Sequence, residues 1–113
     1  MRALAAVAFA ALALPASAFA HANLLERTPN YGSRLAKSPH AIALQFDQGV
    51  DVFSNGIDVR SSTGKAVTAG PAHTADGGRV ATVALRKLPK GAYTVRWHAI
   101  SSDGHVIGME RML

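Results

Sequence analysis

Residues 88–97 read Leu-Pro-Lys-Gly-Ala-Tyr-Thr-Val-Arg-Trp and combine a turn with the start of a strand. The proline and the glycine favour the turn. After them Tyr93, Val95 and Trp97 alternate with other residues, which is the period of a strand that buries one face. A tyrosine at this place can hydrogen-bond back across the turn, as in the corner of immunoglobulin-like sandwiches. Alternatively, Tyr93 and Trp97 are core aromatics at strand spacing, and both interpretations predict a sandwich.

The same period of two recurs before this segment. Apolar residues alternate with others over residues 42–46, 57–60 and 82–86, and Gly, Pro, Asn and Asp separate these stretches at short intervals. No stretch keeps the three-and-four spacing of an amphipathic helix. The sequence therefore predicts an all-β domain, either an antiparallel sandwich or a small β-barrel.

The first 20 residues differ in composition from the rest of the chain, because 17 of them are apolar. A charged start precedes an unbroken apolar run over residues 3–14, and small residues end the segment at 18–20. This is the layout of a cleaved secretory signal peptide, whereas a membrane anchor would need about 20 apolar residues in a row. We therefore predict that residues 1–20 are a signal peptide and that residues 21–113 form one exported domain.

The charges of the exported part argue against nucleic-acid binding. It holds 11 basic and 7 acidic side chains, and the basic ones are scattered along the sequence without a row of aromatic residues beside them. It has no cysteine, so the core has no disulfide to support it and a metal would find no thiol. A chain of 113 residues is expected to hold one domain rather than a multidomain enzyme.

The residues most able to carry chemistry are the five histidines, His21, His40, His73, His98 and His105. His40 and His73 lie in turn-like contexts, and His98 is on the opposite strand face from Trp97, so we expect these three at the surface without a ligand role. His21 differs because cleavage would make it the first residue, with a free α-amine. That amine and the ring Nδ1 can chelate one metal ion, and nitrogen ligands in a plane suit Cu(II).

A second group of candidate ligands is the tripeptide Asp103-Gly104-His105. Side chains two residues apart project to the same side of an extended or tightly turned backbone, and the glycine between them permits an unusual turn. A carboxylate and an imidazole would then face one point. Asp-Gly is also an ordinary turn pair, so the tripeptide alone leaves a simple turn open.

Taken together, these segments resemble the CopC family of periplasmic copper-binding, copper-resistance proteins. The resemblance is carried by His21–Leu24 after the leader, Thr28-Pro29, Gly32–Leu35, Pro39, Ile42–Phe46, Gly91–Trp97 and Ser101–His105. It implies a Greek-key β-barrel or sandwich with one high-affinity Cu(II) ion per chain. It also implies the ligands, namely the amine and imidazole of His21 together with Asp103 and His105.

For function, the resemblance implies a periplasmic protein that sequesters or carries Cu(II). It would act as a monomer without enzymatic activity and deliver copper to an inner-membrane copper transport protein. Two other classes stay open. An oxidase or oxygenase can also hold copper through an N-terminal histidine, and an immunoglobulin-like structural module without metal would use the Asp-Gly-His segment only as a turn.

Two features depart from the family pattern. Some members hold a second, Cu(I) site in a methionine-rich middle segment, whereas the exported part here has only Met109 and Met112, so we expect no such site. The family also ends with an alternating apolar strand after the Asp-Gly-His block. Residues 106–113 do not keep that alternation, so we expect a shortened or altered last strand.

Overall fold

A computed structural model describes residues 22–112, and it describes side chains up to residue 108. The predicted signal peptide and His21 lie outside the described residues. Residues 22–112 form eight strands and contain no helix, hence none that could cross a membrane, and the all-β prediction is confirmed. The strands are β1 (Leu24–Thr28), β2 (Ala41–Phe46), β3 (Val50–Asp51), β4 (Ile57–Ser61), β5 (His73–Ala75), β6 (Val80–Ala84), β7 (Tyr93–Ser101) and β8 (Val106–Met112).

The strands form two antiparallel sheets. The first has the order β1-β2-β6-β5, and the second is built around β7, which pairs with β3, β4 and β8. Ile100 pairs with both Asp51 of β3 and Val106 of β8, so β3 and β8 lie at opposite edges of β7. Trp97 likewise pairs with Ile57 of β4 and with β8. The short strands β3 and β4 therefore share one edge of β7.

The core lies between the two sheets and follows the alternation of β7. Its odd-numbered positions from Tyr93 to Ser101 are buried and its even-numbered positions are more exposed. Phe46 of β2 meets Trp97 edge to face, with ring centroids 5.4 Å apart, so the aromatic pair joins the two sheets. Tyr93 is only 9% exposed and its hydroxyl donates a hydrogen bond to the Pro89 carbonyl. Tyr93 is thus a core aromatic and the corner residue at once.

The last strand is longer than the sequence predicts. β8 pairs with β7 over seven residue pairs, from Ile100 opposite Val106 to Thr94 opposite Met112, so the expectation of a shortened strand is wrong. Gly108 gives the physical reason for the interrupted apolar pattern. A Cβ at this position would lie 2.5 Å from the Trp97 carbonyl oxygen, so the close approach of β8 to β7 requires a residue without a side chain.

The first described residues and the β7–β8 turn lie at the same end of the sandwich. Leu24 pairs with Phe46 at the end of β2, and Val50, shortly after, pairs with Ser101 at the end of β7. The β5–β6 turn also reaches this end, because the Gly78 carbonyl accepts a hydrogen bond from the Val50 amide at 2.9 Å. We call this region the site end, comprising residues 22–24, 47–51, 76–79 and 101–105.

Candidate metal centre

The turn between β7 and β8 is a tight loop closed by backbone hydrogen bonds. The Gly104 amide donates to the Ser101 carbonyl at 2.9 Å, and the Ser101 amide donates to the His105 carbonyl at 3.0 Å. Gly104 has a φ of +87°, a conformation that side chains disfavour and glycine adopts readily. The turn therefore depends on the glycine between the two candidate ligands.

This turn brings Asp103 and His105 into direct contact. Asp103 Oδ2 lies 2.7 Å from Nδ1 of the His105 ring, and Asp103 Oδ1 accepts a hydrogen bond from the His105 amide at 3.1 Å. The Asp103 side chain is 18% exposed and that of His105 is 68% exposed. The predicted convergence of the carboxylate and the imidazole is confirmed, and the carboxylate fixes the orientation of the ring.

Ser101 supports the carboxylate from the core side. The residue is only 3% exposed, and its hydroxyl donates a hydrogen bond to Asp103 Oδ1. This hydrogen bond, helped by the contacts with His105, holds the pKa of Asp103 far below its ordinary value, although partial burial acts in the opposite direction. Asp103 is therefore ionised throughout the range in which a histidine loses its proton.

A second set of hydrogen bonds fastens the start of the described chain at the site end. Ala22 is 5% exposed and belongs to the core cluster. Asn23 donates two hydrogen bonds to the Asp47 carboxylate, one from its backbone N–H at 2.8 Å and one from its side-chain Nδ2 at 2.9 Å. In return, the backbone N–H of Asp47 donates to the backbone carbonyl of Asn23 at 3.1 Å. The hydrogen bond from the Asn23 amide is the main cause that lowers the pKa of Asp47. Asn23 and Asp47 thus tie the chain start to the end of β2.

The structure describes two of the three predicted ligand residues. Asp103 and His105 meet as predicted, while His21 is outside the described residues and its ligand role stays a prediction. Among residues 22–108, whose side chains the structure describes, no three His, Asp or Glu form a metal-binding cluster. His40 and His73 are exposed, as expected, and His98 is half-buried on the outer face of β7, with its ring 5.9 Å from that of Phe53.

Sequence reasoning did not assign a role to Ser101 or Asp47. For Ser101 a signal exists, because it occupies an inward-facing position at the end of the alternation of β7, and a buried hydroxyl requires a hydrogen-bond partner. For Asp47 no local signal exists. Its partner Asn23 is 24 residues away in the chain and is brought to it only by the pairing of β1 with β2.

Known proteins are similar to this chain in both sequence and fold. Residues 24–110 match the family model of the CopC domain. The chain is 33% identical over 96 residues to the copper transport protein CutJ of Bacillus subtilis (strain 168), covering 83% of this chain but only 18% of CutJ, so it spans about a fifth of that relative. It is 32% identical over 99 residues to copper resistance protein C of Escherichia coli, covering 80% of this chain and 78% of that protein.

The crystal structure of CopC from Methylosinus trichosporium OB3b superposes with a TM-score of 0.70 at 32% identity, covering 81% of this chain and 90% of the other. The likeness over most of both chains confirms the predicted fold class, an all-β domain of two antiparallel sheets.

Proposed function

The chain belongs to the CopC domain family, and on that premise we propose that it is a periplasmic protein that binds one Cu(II) ion. The observation that carries the proposal is the contact between Asp103 and His105. An ionised carboxylate and an imidazole that meet in one exposed turn supply two ligands of the kind that Cu(II) binds. This turn lies at the end of the sandwich where the described chain begins.

The proposed ligands are the α-amine and Nδ1 of His21, the ring of His105 and the carboxylate of Asp103. His21 directly precedes the buried Ala22 and the anchored Asn23, which supports its place in the set. Three nitrogens and a carboxylate suit Cu(II), and the set has no thiolate or thioether, the ligands that Cu(I) prefers.

We propose that the protein sequesters copper or carries it to an inner-membrane copper transport protein. Two relatives support this role by their names, one a copper transport protein and the other a copper resistance protein. In CutJ the matching region is only 18% of the whole, so a related domain is joined there to a much longer chain. We propose that this chain meets such a partner as a monomer and does not act as an enzyme.

Titration of the exported form with Cu(II) tests the ligand set. We expect one tight binding event per chain. His105→Ala should weaken it by more than the roughly 10–100-fold that is typical of second-sphere substitutions, and His73→Ala, which removes an exposed histidine of β5, should leave it unchanged. A wild-type chain without a tight one-to-one event would refute the proposal, and equal effects of the two variants would refute the role of His105.

The mass of the exported protein tests the role of His21. We expect a mature chain that begins at His21, because only a cleaved chain has an α-amine on that residue. Adding one alanine before His21 should abolish the chelate while leaving the thermal stability of the metal-free protein unchanged. A mature protein that retains residues before His21 and still binds copper tightly would contradict the assignment.

A further inference from the structure

Basic side chains that are scattered in the sequence come together at the end of the sandwich opposite the site end. They belong to two segments, residues 34–40 before β2 and residues 86–90 between β6 and β7. Hydrogen bonds join the two segments, because the Leu88 amide donates to Ser38 Oγ at 3.0 Å and the Leu85 amide donates to the His40 carbonyl at 2.9 Å. The basic side chains of this region, which we call the basic end, are Arg34, Lys37, Arg86, Lys87 and Lys90.

Neither of the two segments that form the basic end contains an Asp or a Glu. All five of its basic residues are exposed, and the sequence has no Asp or Glu over residues 27–46 or 77–102. The pairing of β2 with β6 brings the two segments together. The basic residues are scattered along the chain, and the fold brings five of them to one end.

Four of the seven acidic residues lie at the other end of the molecule. The site end carries Asp47, Asp51, Asp76 and Asp103, with Arg79 as a neighbouring cation. The two ends of one small sandwich thus have opposite charge, although the exported part as a whole has an excess of only four basic side chains. Such a polarised molecule is oriented by a charged surface.

An apolar side chain lies among the cations of the basic end. Leu35 directly follows Arg34 and is 49% exposed. Lysine and arginine side chains beside exposed apolar groups are the usual composition of surfaces that rest on lipid headgroups, because the apolar parts enter the interface while the charges meet phosphates.

We propose that the basic end binds the anionic headgroups of a phospholipid membrane, with the site end directed away from the lipid. The proposal goes beyond copper binding and does not depend on it. It places the protein at a membrane surface by its own charges, with the candidate metal centre facing the aqueous phase.

Sedimentation with lipid vesicles tests the proposal on the mature protein without copper. We expect binding to vesicles made of equal parts phosphatidylglycerol and phosphatidylcholine, and none to vesicles of phosphatidylcholine alone. Each cation near an anionic surface raises partitioning by roughly fivefold, so Lys87→Gln with Lys90→Gln should lower it by about 25-fold. The matched pair Arg79→Gln with Arg96→Gln removes the same charge outside the basic end and should have little effect.

A second comparison isolates the apolar contact. Leu35→Ala should weaken binding several-fold, whereas Leu25→Ala, which removes an exposed leucine of β1, should not. No binding to anionic vesicles, equal loss in the two charge-removing pairs, or tighter binding to duplex DNA or to an acidic protein at the same salt would overturn the proposal. Copper affinity should be unchanged in the Lys87→Gln, Lys90→Gln pair and in Leu35→Ala, so failure here is distinguishable from failure of the copper site.

Discussion

At the scale of single residues, the backbone of Gly104 determines where two side chains point. Its φ of +87° turns the chain so that Asp103 and His105 meet, while Ser101 holds the carboxylate from below. The space around Gly104 is open, since a Cβ there would have no neighbour within 4 Å apart from the two residues next to it in the chain. Any effect of a side chain at this position would therefore come from backbone conformation rather than from a clash.

Gly104→Ala should lower the free energy of unfolding by about 1–2 kcal/mol, the usual cost of a left-handed conformation in a residue with a Cβ. It should also weaken Cu(II) binding, because relaxation of the turn separates Asp103 from His105. Gly64→Ala is the matched control, since Gly64 has a φ of +86° and equally open space in a distant turn. Denaturant unfolding and copper titration of both variants make the comparison. Equal copper affinity in the two variants would contradict a role for the turn.

At the scale of strands, the site end depends on how β1 begins. The strand is irregular, because its register with β2 shifts between Leu24 and Glu26, and the hydrogen bonds between Asn23 and Asp47 fix its start. The start of β1 is the point from which the chain leads back to His21. The Asp47 carboxylate is therefore expected to influence copper binding without being a ligand.

Asp47→Ala should weaken Cu(II) binding by about tenfold, as for loss of a second-sphere contact. Asp51→Ala, which removes the same charge at the same end, should change the copper affinity much less.

The pKa of Asp47 is lower in the folded protein than its ordinary value. The contribution of this carboxylate to stability is therefore complete above about pH 4, the ordinary pKa of an aspartate, and disappears as the pH falls through the lower folded value. The gap in thermal stability between wild type and Asp47→Asn should narrow over that acidic range. A gap that widens on acidification would contradict this.

The strands that sequence reasoning identified are those with a regular inside-outside alternation. β2, β4, β6 and β7 have it, and all four are confirmed. The sequence pattern did not identify three of the other strands. In β1 a bulge breaks the period of two. Strand β3 has only two residues, and all three residues of β5 are exposed, so neither shows an alternation.

The contacts of the candidate site likewise include one that the sequence predicts and one that it does not. The contact between Asp103 and His105 is local and follows from a spacing of two residues. The contact of Asn23 with Asp47 joins residues 24 apart, so no local pattern predicts it.

At the scale of the whole molecule, the distribution of aromatic residues bears on the choice between carrier and oxygenase. Phe46, Tyr93 and Trp97 are buried in the core. The two exposed aromatics stand apart, since Tyr31 stacks under the Arg27 guanidinium at 4.6 Å and Phe53 packs beside His98. An oxygenase that acts on a polymer needs a flat aromatic surface beside its copper, and these rings do not form one.

We therefore expect the copper-loaded protein, given ascorbate and oxygen, to produce hydrogen peroxide no faster than the same concentration of free copper. A carboxylate in the coordination plane would also disfavour reduction of Cu(II) and the approach of oxygen. Peroxide production is followed with a peroxidase-coupled assay, with His73→Ala as the control for unrelated histidine loss. Sustained production above free copper that disappears in His105→Ala would favour the oxygenase.

The antiparallel pairing of β7 with β8 bears on the order in which the chain folds and binds copper. Asp103 and His105 lie in one short hairpin that contacts itself along the chain, so this half can form early and locally. His21 is more than eighty positions away in the sequence, and Asn23, two residues after it, is held at the site end by the pairing of β1 with β2. The proposed ligands therefore meet only in a folded chain, so a chain that is exported unfolded would not carry copper with it. The metal would be acquired only on the far side, by a protein that has finished folding.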